Sequence, residues 1–138
     1  MKRSERNSAY FIFTSTALTG LSIWGLKKWG ESPGPFGPVQ HPLLDEMHFI
    51  HNLFNLLFLG MFGWLGAVHI RSKIKSSNER RVTGILLICF FILVPITGQL
   101  LLYLSQKEVL EIGRQTHLIT GLLAIILFYF HSKKKKAL

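Results

Sequence analysis

HFIHNLFNLLFLGMFGWLGAVHIR, residues 48–71, contains no aspartate, glutamate, lysine or arginine before its last residue. A helix rises 1.5 Å per residue, so about 20 residues cross a hydrocarbon layer of about 30 Å. This run is long enough to cross one. Working outward, three further apolar runs repeat the pattern, giving spans at about 10–29, 48–70, 82–104 and 115–131 with an external loop at 30–47. The 138 residues are 49 % hydrophobic and 17 % charged, and the apolar ones are gathered rather than dispersed. A soluble enzyme and a nucleic-acid-binding domain are both excluded by that distribution. The expectation is an all-α, integral membrane four-helix bundle, with residues 1–138 forming one membrane domain.

The net charge of +9 finds its explanation at the membrane. Lys2, Arg3 and Arg6 precede the first span, and Arg71, Lys73, Lys75, Arg80 and Arg81 lie between the second and third. Lys133, Lys134, Lys135 and Lys136 follow the fourth. The opposite side holds Lys27, Lys28, Lys107 and Arg114, with five of the seven acidic residues. Basic residues in short loops stay on the cytoplasmic side, so both termini are expected there. The basic N-terminus resembles a signal peptide's, but its long apolar run and the lack of an A-x-A site favour a retained span. Tyr10, Trp24, Trp29 and Tyr129 fit interface anchors.

Between the first two spans lie Pro33, Pro35, Pro38 and Pro42 with Gly34 and Gly37, a composition that reads as loop rather than helix. Pro95, inside the third span, is expected to kink it. Cys89 is the only cysteine, which excludes a disulfide framework, a zinc knuckle and a CxxCH haem attachment; it reads as a small buried hydrophobe.

The histidines are the informative residues. Of His41, His48, His51, His69, His117 and His131, five lie in or at the ends of the second and fourth spans, and none in the first or third. Ionisable groups at membrane depth are costly and mark sites or pathways. His117 and His131 are 14 residues apart, which puts them on one face and about 21 Å apart along a helix. His51 and His69 are 18 apart, five whole turns and about 27 Å in an unbroken α-helix. After four antiparallel crossings, His51 and His117 fall near the outer surface, and His69 and His131 near the cytoplasmic one. Two pairs at two depths suit two bis-histidine haems b, with His51, His69, His117 and His131 as iron ligands. His48 is the alternative to His51.

These features resemble those of the small prokaryotic b-type membrane cytochromes, the group that includes the cytochrome subunits of formate dehydrogenases and nickel–iron hydrogenases. The resembling segments are HFIHNLF, His69 with its basic followers, the TG dipeptides of the first and third spans, and RQTHLITGLL…FYFH. The resemblance implies a di-haem electron-transfer subunit of a respiratory complex in the bacterial inner membrane. Its partners would be other redox subunits and the quinone pool. His117 and His131 match the family's paired ligands. The interval in the second span departs from it by about 6 Å.

Thr19–Gly20 and Thr97–Gly98, each one span ahead of a histidine-bearing span, suggest a faint internal duplication. Gly20, Gly60, Gly63, Gly66, Gly98 and Gly121 lie inside spans, where a missing side chain lets a macrocycle or another helix approach the backbone. Gly20, Gly98 and Gly121 are the candidates for cofactor contact, and Arg71, with Lys73 and Arg80, for holding a propionate or quinone head group. No Ser-His-Asp set, phosphate loop or carboxylate pair is present, and the HxxH of His48 and His51 lacks a hydrolase's glutamate. Two other readings stay open. One is a cofactor-free structural or assembly subunit of a larger complex. The other is a small membrane protein holding a transition metal through His41, Asp45, Glu46 and His48.

Overall fold

In the computed structural model, residues 3–76 and 81–133 are described; the side chains of residues 74–76 are not. Lys2, Arg80 and Lys134, Lys135 and Lys136 therefore lie outside the described residues, as does the Lys75 side chain. The elements run α1 (Arg3–Trp29), β1 (Ser32–Gly34), β2 (Gly37–Val39), α2 (Leu44–Leu65), a π-helical turn (Gly66–Ile70), α3 (Arg71–Ser76), α4 (Arg81–Leu100) and α5 (Lys107–Ser132). Among the described residues four helices are long and apolar enough to cross a membrane: Arg3–Trp29, Leu44–Lys73, Arg81–Leu100 and Lys107–Ser132.

Their ends differ from the hydropathy boundaries for one reason. Apolarity marks depth in a bilayer, whereas a helix continues wherever its backbone bonds can be made. So α1 begins seven residues before the expected span, and α5 begins at Lys107 rather than 115. The third span stops at Leu100, and residues 101–103 form a turn closed by Leu102 N–H to the Gln99 carbonyl at 3.1 Å. Pro95 lies within α4, where it removes the N–H that the Phe91 carbonyl would otherwise receive.

The chain separates into two compact units, residues 1–65 and 66–138. In the first, α1 packs along α2, with Phe13 against Phe58 (ring centroids 4.9 Å apart) and Phe11 edge-on to Phe54 (6.1 Å). In the second, α4 packs along α5 around Phe91 and Phe128, 6.1 Å apart. Each unit has a thin seam, Ala9, Phe13, Leu44, Phe58 and Leu65 in one and Leu87, Phe91, Ala124 and Phe128 in the other. Large apolar residues such as Phe11, Leu56, Val82 and Phe130 stand exposed on the outer faces. A soluble protein of this size would bury them; an apolar solvent removes the need. Cys89 belongs to that exposed set, contrary to the buried position expected, because its face of α4 turns away from the seam.

Two elements were not expected. The proline-rich connection folds as an antiparallel hairpin, with Ser32 opposite Val39, Pro33 opposite Pro38 and Gly34 opposite Gly37. Pairs in such a ladder alternate between those that exchange two backbone bonds and those that exchange none. With Gly34 and Gly37 closing a two-residue turn, the prolines fall where no N–H is needed. Gly37 has φ of +121°, a conformation closed to most side chains. The second element is the π turn at Gly66–Ile70. It breaks the α ladder that the interval between His51 and His69 was measured on, so 18 residues are no longer five whole turns.

Candidate functional site

The two helix pairs use one device at the same place. In the first, Thr19 Oγ1 of α1 lies 2.9 Å from Nδ1 of His51 on α2. In the second, Thr97 Oγ1 of α4 lies 3.0 Å from Nδ1 of His117 on α5. The residue after each threonine is a glycine, and the imidazole rests on it. A Cβ on Gly20 would stand 3.2 Å from Cε1 of His51, and one on Gly98 only 2.9 Å from Cε1 of His117. Each pair also places a phenylalanine of its seam, Phe13 or Phe91, six residues before the threonine. The duplication suggested by the two Thr-Gly dipeptides thus corresponds to a shared packing unit.

A third copy occurs at the other end of α4 and α5. Thr83 Oγ1 lies 3.1 Å from Nδ1 of His131, and a Cβ on Gly84 would meet Cε1 of that ring at 3.2 Å. Thr83 and Gly84 were missed in the sequence, although a signal was present. The dipeptide at 83–84 precedes the one at 97–98 by 14 residues, the interval that separates His117 from His131. Antiparallel helices with equal intervals bring both pairs into register. The fourth dipeptide, Thr120–Gly121, is different. Thr120 Oγ1 donates to its own helix, to the Thr116 carbonyl at 2.8 Å and the His117 carbonyl at 3.1 Å.

Each threonine hydroxyl is shared between its own helix and the neighbouring ring. Thr19 Oγ1 has one hydrogen, with the carbonyls of Ser15 at 2.9 Å and Thr16 at 3.0 Å in reach. With that hydrogen on a carbonyl the oxygen accepts from a protonated Nδ1 of His51; with Nδ1 unprotonated it donates to the ring instead. Thr97 Oγ1 likewise donates to the Val94 carbonyl at 2.9 Å and lies 3.0 Å from Nδ1 of His117, whose ring also bonds the Val94 carbonyl. In a neutral imidazole a protonated Nδ1 leaves the lone pair on Nε2. A second group on one ring nitrogen is also a feature of metal-ligating histidines.

The remaining candidates are placed less specifically. His69 lies in the π turn, and its carbonyl accepts from Ser72 Oγ at 3.0 Å. Arg71 is exposed at the start of α3. His48 lies one turn before His51 on α2, half-buried. Gly60, Gly63, Gly66 and Gly121 have nothing within 4 Å of a would-be Cβ, so the backbone there is open to approach. What approaches Gly20 and Gly98 is an imidazole of the paired helix. His41 turns its Nδ1 to the Leu43 N–H at 3.2 Å. Among the described residues no three His, Cys, Asp or Glu side chains gather to hold a metal ion, so His41, Asp45, Glu46 and His48 do not assemble as a cluster.

No protein-family model, curated protein or solved structure matches this chain. The threonine–glycine–histidine unit is thus argued from its own geometry.

Proposed function

We propose that the chain is a di-haem b-type cytochrome subunit of the bacterial inner membrane, carrying electrons between the quinone pool and a partner redox protein. Its four spans leave both termini in the cytoplasm. The observation that carries this reading is the cradle repeated at His51, His117 and His131: a threonine hydroxyl on Nδ1 and a glycine under the ring. A second group on one ring nitrogen and a fixed ring plane are what an axial ligand needs from its surroundings. Haem b, when bound, supplies one-electron transfer at its iron. The residues that would hold it are His51, His69, His117 and His131. Arg71 offers a guanidinium to a propionate or a quinone head group. Gly121, with open space above it, offers a backbone that a macrocycle can approach.

A pyridine-haemochrome spectrum of the purified chain tests this directly. About two haems b per chain are expected, and His117→Ala or His131→Ala should each remove one. A chain purified without haem under haem-replete expression overturns the reading.

One observation favours a second reading, a cofactor-free assembly subunit. The Thr–His contacts join neighbouring helices, and such bonds in a bilayer are worth about 0.6–2 kcal/mol in their own right. A haem-free chain whose helix pairs loosen on Thr→Val substitution would select it.

A further inference from the structure

Residues 32–40, SPGPFGPVQ, carry no charge, although Glu31 precedes them and Asp45 and Glu46 follow. Phe36, at the hairpin tip, is as exposed as it would be in an extended chain, and Val39 is exposed as well. The backbone is depleted of donors too. The pairs Ser32–Val39, Pro33–Pro38 and Gly34–Gly37 alternate between bonded and outward-facing, and the glycine pair closes the turn. The outward-facing pair is therefore Pro33–Pro38, and neither residue has an N–H. Pro35 removes a further donor, so of residues 33–38 only Phe36 keeps an N–H outside the ladder. A third strand would find no donor at this position on either edge. Lipid, which penalises an unpartnered N–H, meets none there either. The outward carbonyls of the two prolines still need water, which keeps the backbone at head-group depth and sends only the Phe36 ring deeper.

The hairpin starts three residues after the end of α1, whose last turns carry Trp24 and Trp29, with ring centroids 5.0 Å apart. Lys28 Nζ lies 4.9 Å from one ring and 5.3 Å from the other. Aromatic and basic side chains together mark the level at which a span leaves the hydrocarbon. A Cβ on Gly30 would stand 3.0 Å from Cβ of His41, so the chain returns to that same level after the hairpin. Resting on α1 as a membrane span, we propose that the β1–β2 hairpin is a lipid anchor, with Phe36 entering the leaflet that receives the end of α1. The occupant around the ring is lipid, because a strand partner would need edge donors and a polar partner would need charges. The hairpin closes on itself at Ser32 and Val39, so the anchor is separate from the helix pair behind it.

The test uses the full chain in vesicles of phosphatidylethanolamine and phosphatidylglycerol. Cys89→Ala leaves one position at a time for a nitroxide label, introduced as Phe36→Cys, Gln40→Cys or Leu18→Cys, all three exposed. Relaxation by oxygen, which concentrates in lipid, and by a water-soluble nickel chelate reads the depth of each. The labels at 18 and 36 should respond mainly to oxygen, and the label at 40 mainly to nickel. A label introduced as Pro35→Cys reads the anchor with Phe36 in place, and it should shift from oxygen towards nickel on Phe36→Asp. Nickel access at 36 puts the tip in water and overturns the proposal. Shielding at 36 from both reagents puts a protein over the tip and overturns it equally, as does an unchanged label at 35 in Phe36→Asp. Nickel access at Leu18, midway along α1, sinks the membrane reading itself, so the two failures are distinguishable.

Discussion

Thr97 Oγ1 sits between two partners, 2.9 Å from the Val94 carbonyl and 3.0 Å from Nδ1 of His117. Its single hydrogen serves either the carbonyl or the ring, so the role of the hydroxyl and the tautomer of His117 are set together.

Thr97→Val keeps the volume and removes the hydroxyl, one of the hydrogen-bond partners of the His117 ring. Stability of the purified chain should fall by about 1 kcal/mol in thermal or detergent denaturation, in line with interhelical bonds in bilayers. If haem is bound, its spectrum and midpoint potential should shift. Thr97→Ser, which restores an oxygen, should recover both. Equal behaviour of the Val and Ser variants would show that the methyl group, not the hydroxyl, matters.

Alanine scanning of the glycines should give a graded result. Gly98→Ala, with 2.9 Å available to Cε1 of His117, must displace the ring and should be the most damaging. Gly20→Ala and Gly84→Ala, at 3.2 Å, should be milder. Gly121→Ala meets nothing in the chain and should leave its stability unchanged. A selective loss of haem from Gly121→Ala, with the apoprotein still stable, would place the macrocycle against that backbone.

His51 and His48 are separable by substitution. The cradle of Thr19 and Gly20 holds His51. On the di-haem proposal, His51→Ala should therefore abolish one haem, and His48→Ala should leave both. An absorption spectrum showing the opposite pattern would reverse the assignment.

The proposed topology rests on the basic residues and is open to reporter fusions. A reporter after Leu138 should remain cytoplasmic, and one inserted near Gly34 should be exported. Activity of the export reporter at the C-terminus would invert the orientation.

The four long helices and the histidine pattern were legible because both depend on local composition. A run without charges at residues 48–70 permits little else, and a 14-residue interval on one helix needs no knowledge of its neighbour. What escaped depended on pairing. Prolines at 33 and 38 argue against a strand individually; only when set opposite one another do they occupy positions that need no N–H. The contact of Thr83 and Gly84 with His131 spans 48 residues of sequence and becomes visible only with the antiparallel register. The π turn at Gly66–Ile70 has no compositional signature beyond its glycine. The residue that shifted most in meaning is Gly20, expected against a macrocycle and found beneath an imidazole.

The β1–β2 hairpin alters the polymer statistics of the link between α1 and α2. Ser32 and Val39 are partners, so the eight residues 32–39 leave and return at nearly the same point. Flexible chain that must be closed to bring the two helices together is confined to residues 30–31 and 40–43. Closure entropy grows with the logarithm of free length, about 0.6 kcal/mol per doubling. A self-closing insert contributes almost nothing to that length. Residues can therefore be added at the Pro35–Phe36 tip, where a label or affinity sequence would extend outward, without slackening the helix pair that holds His51.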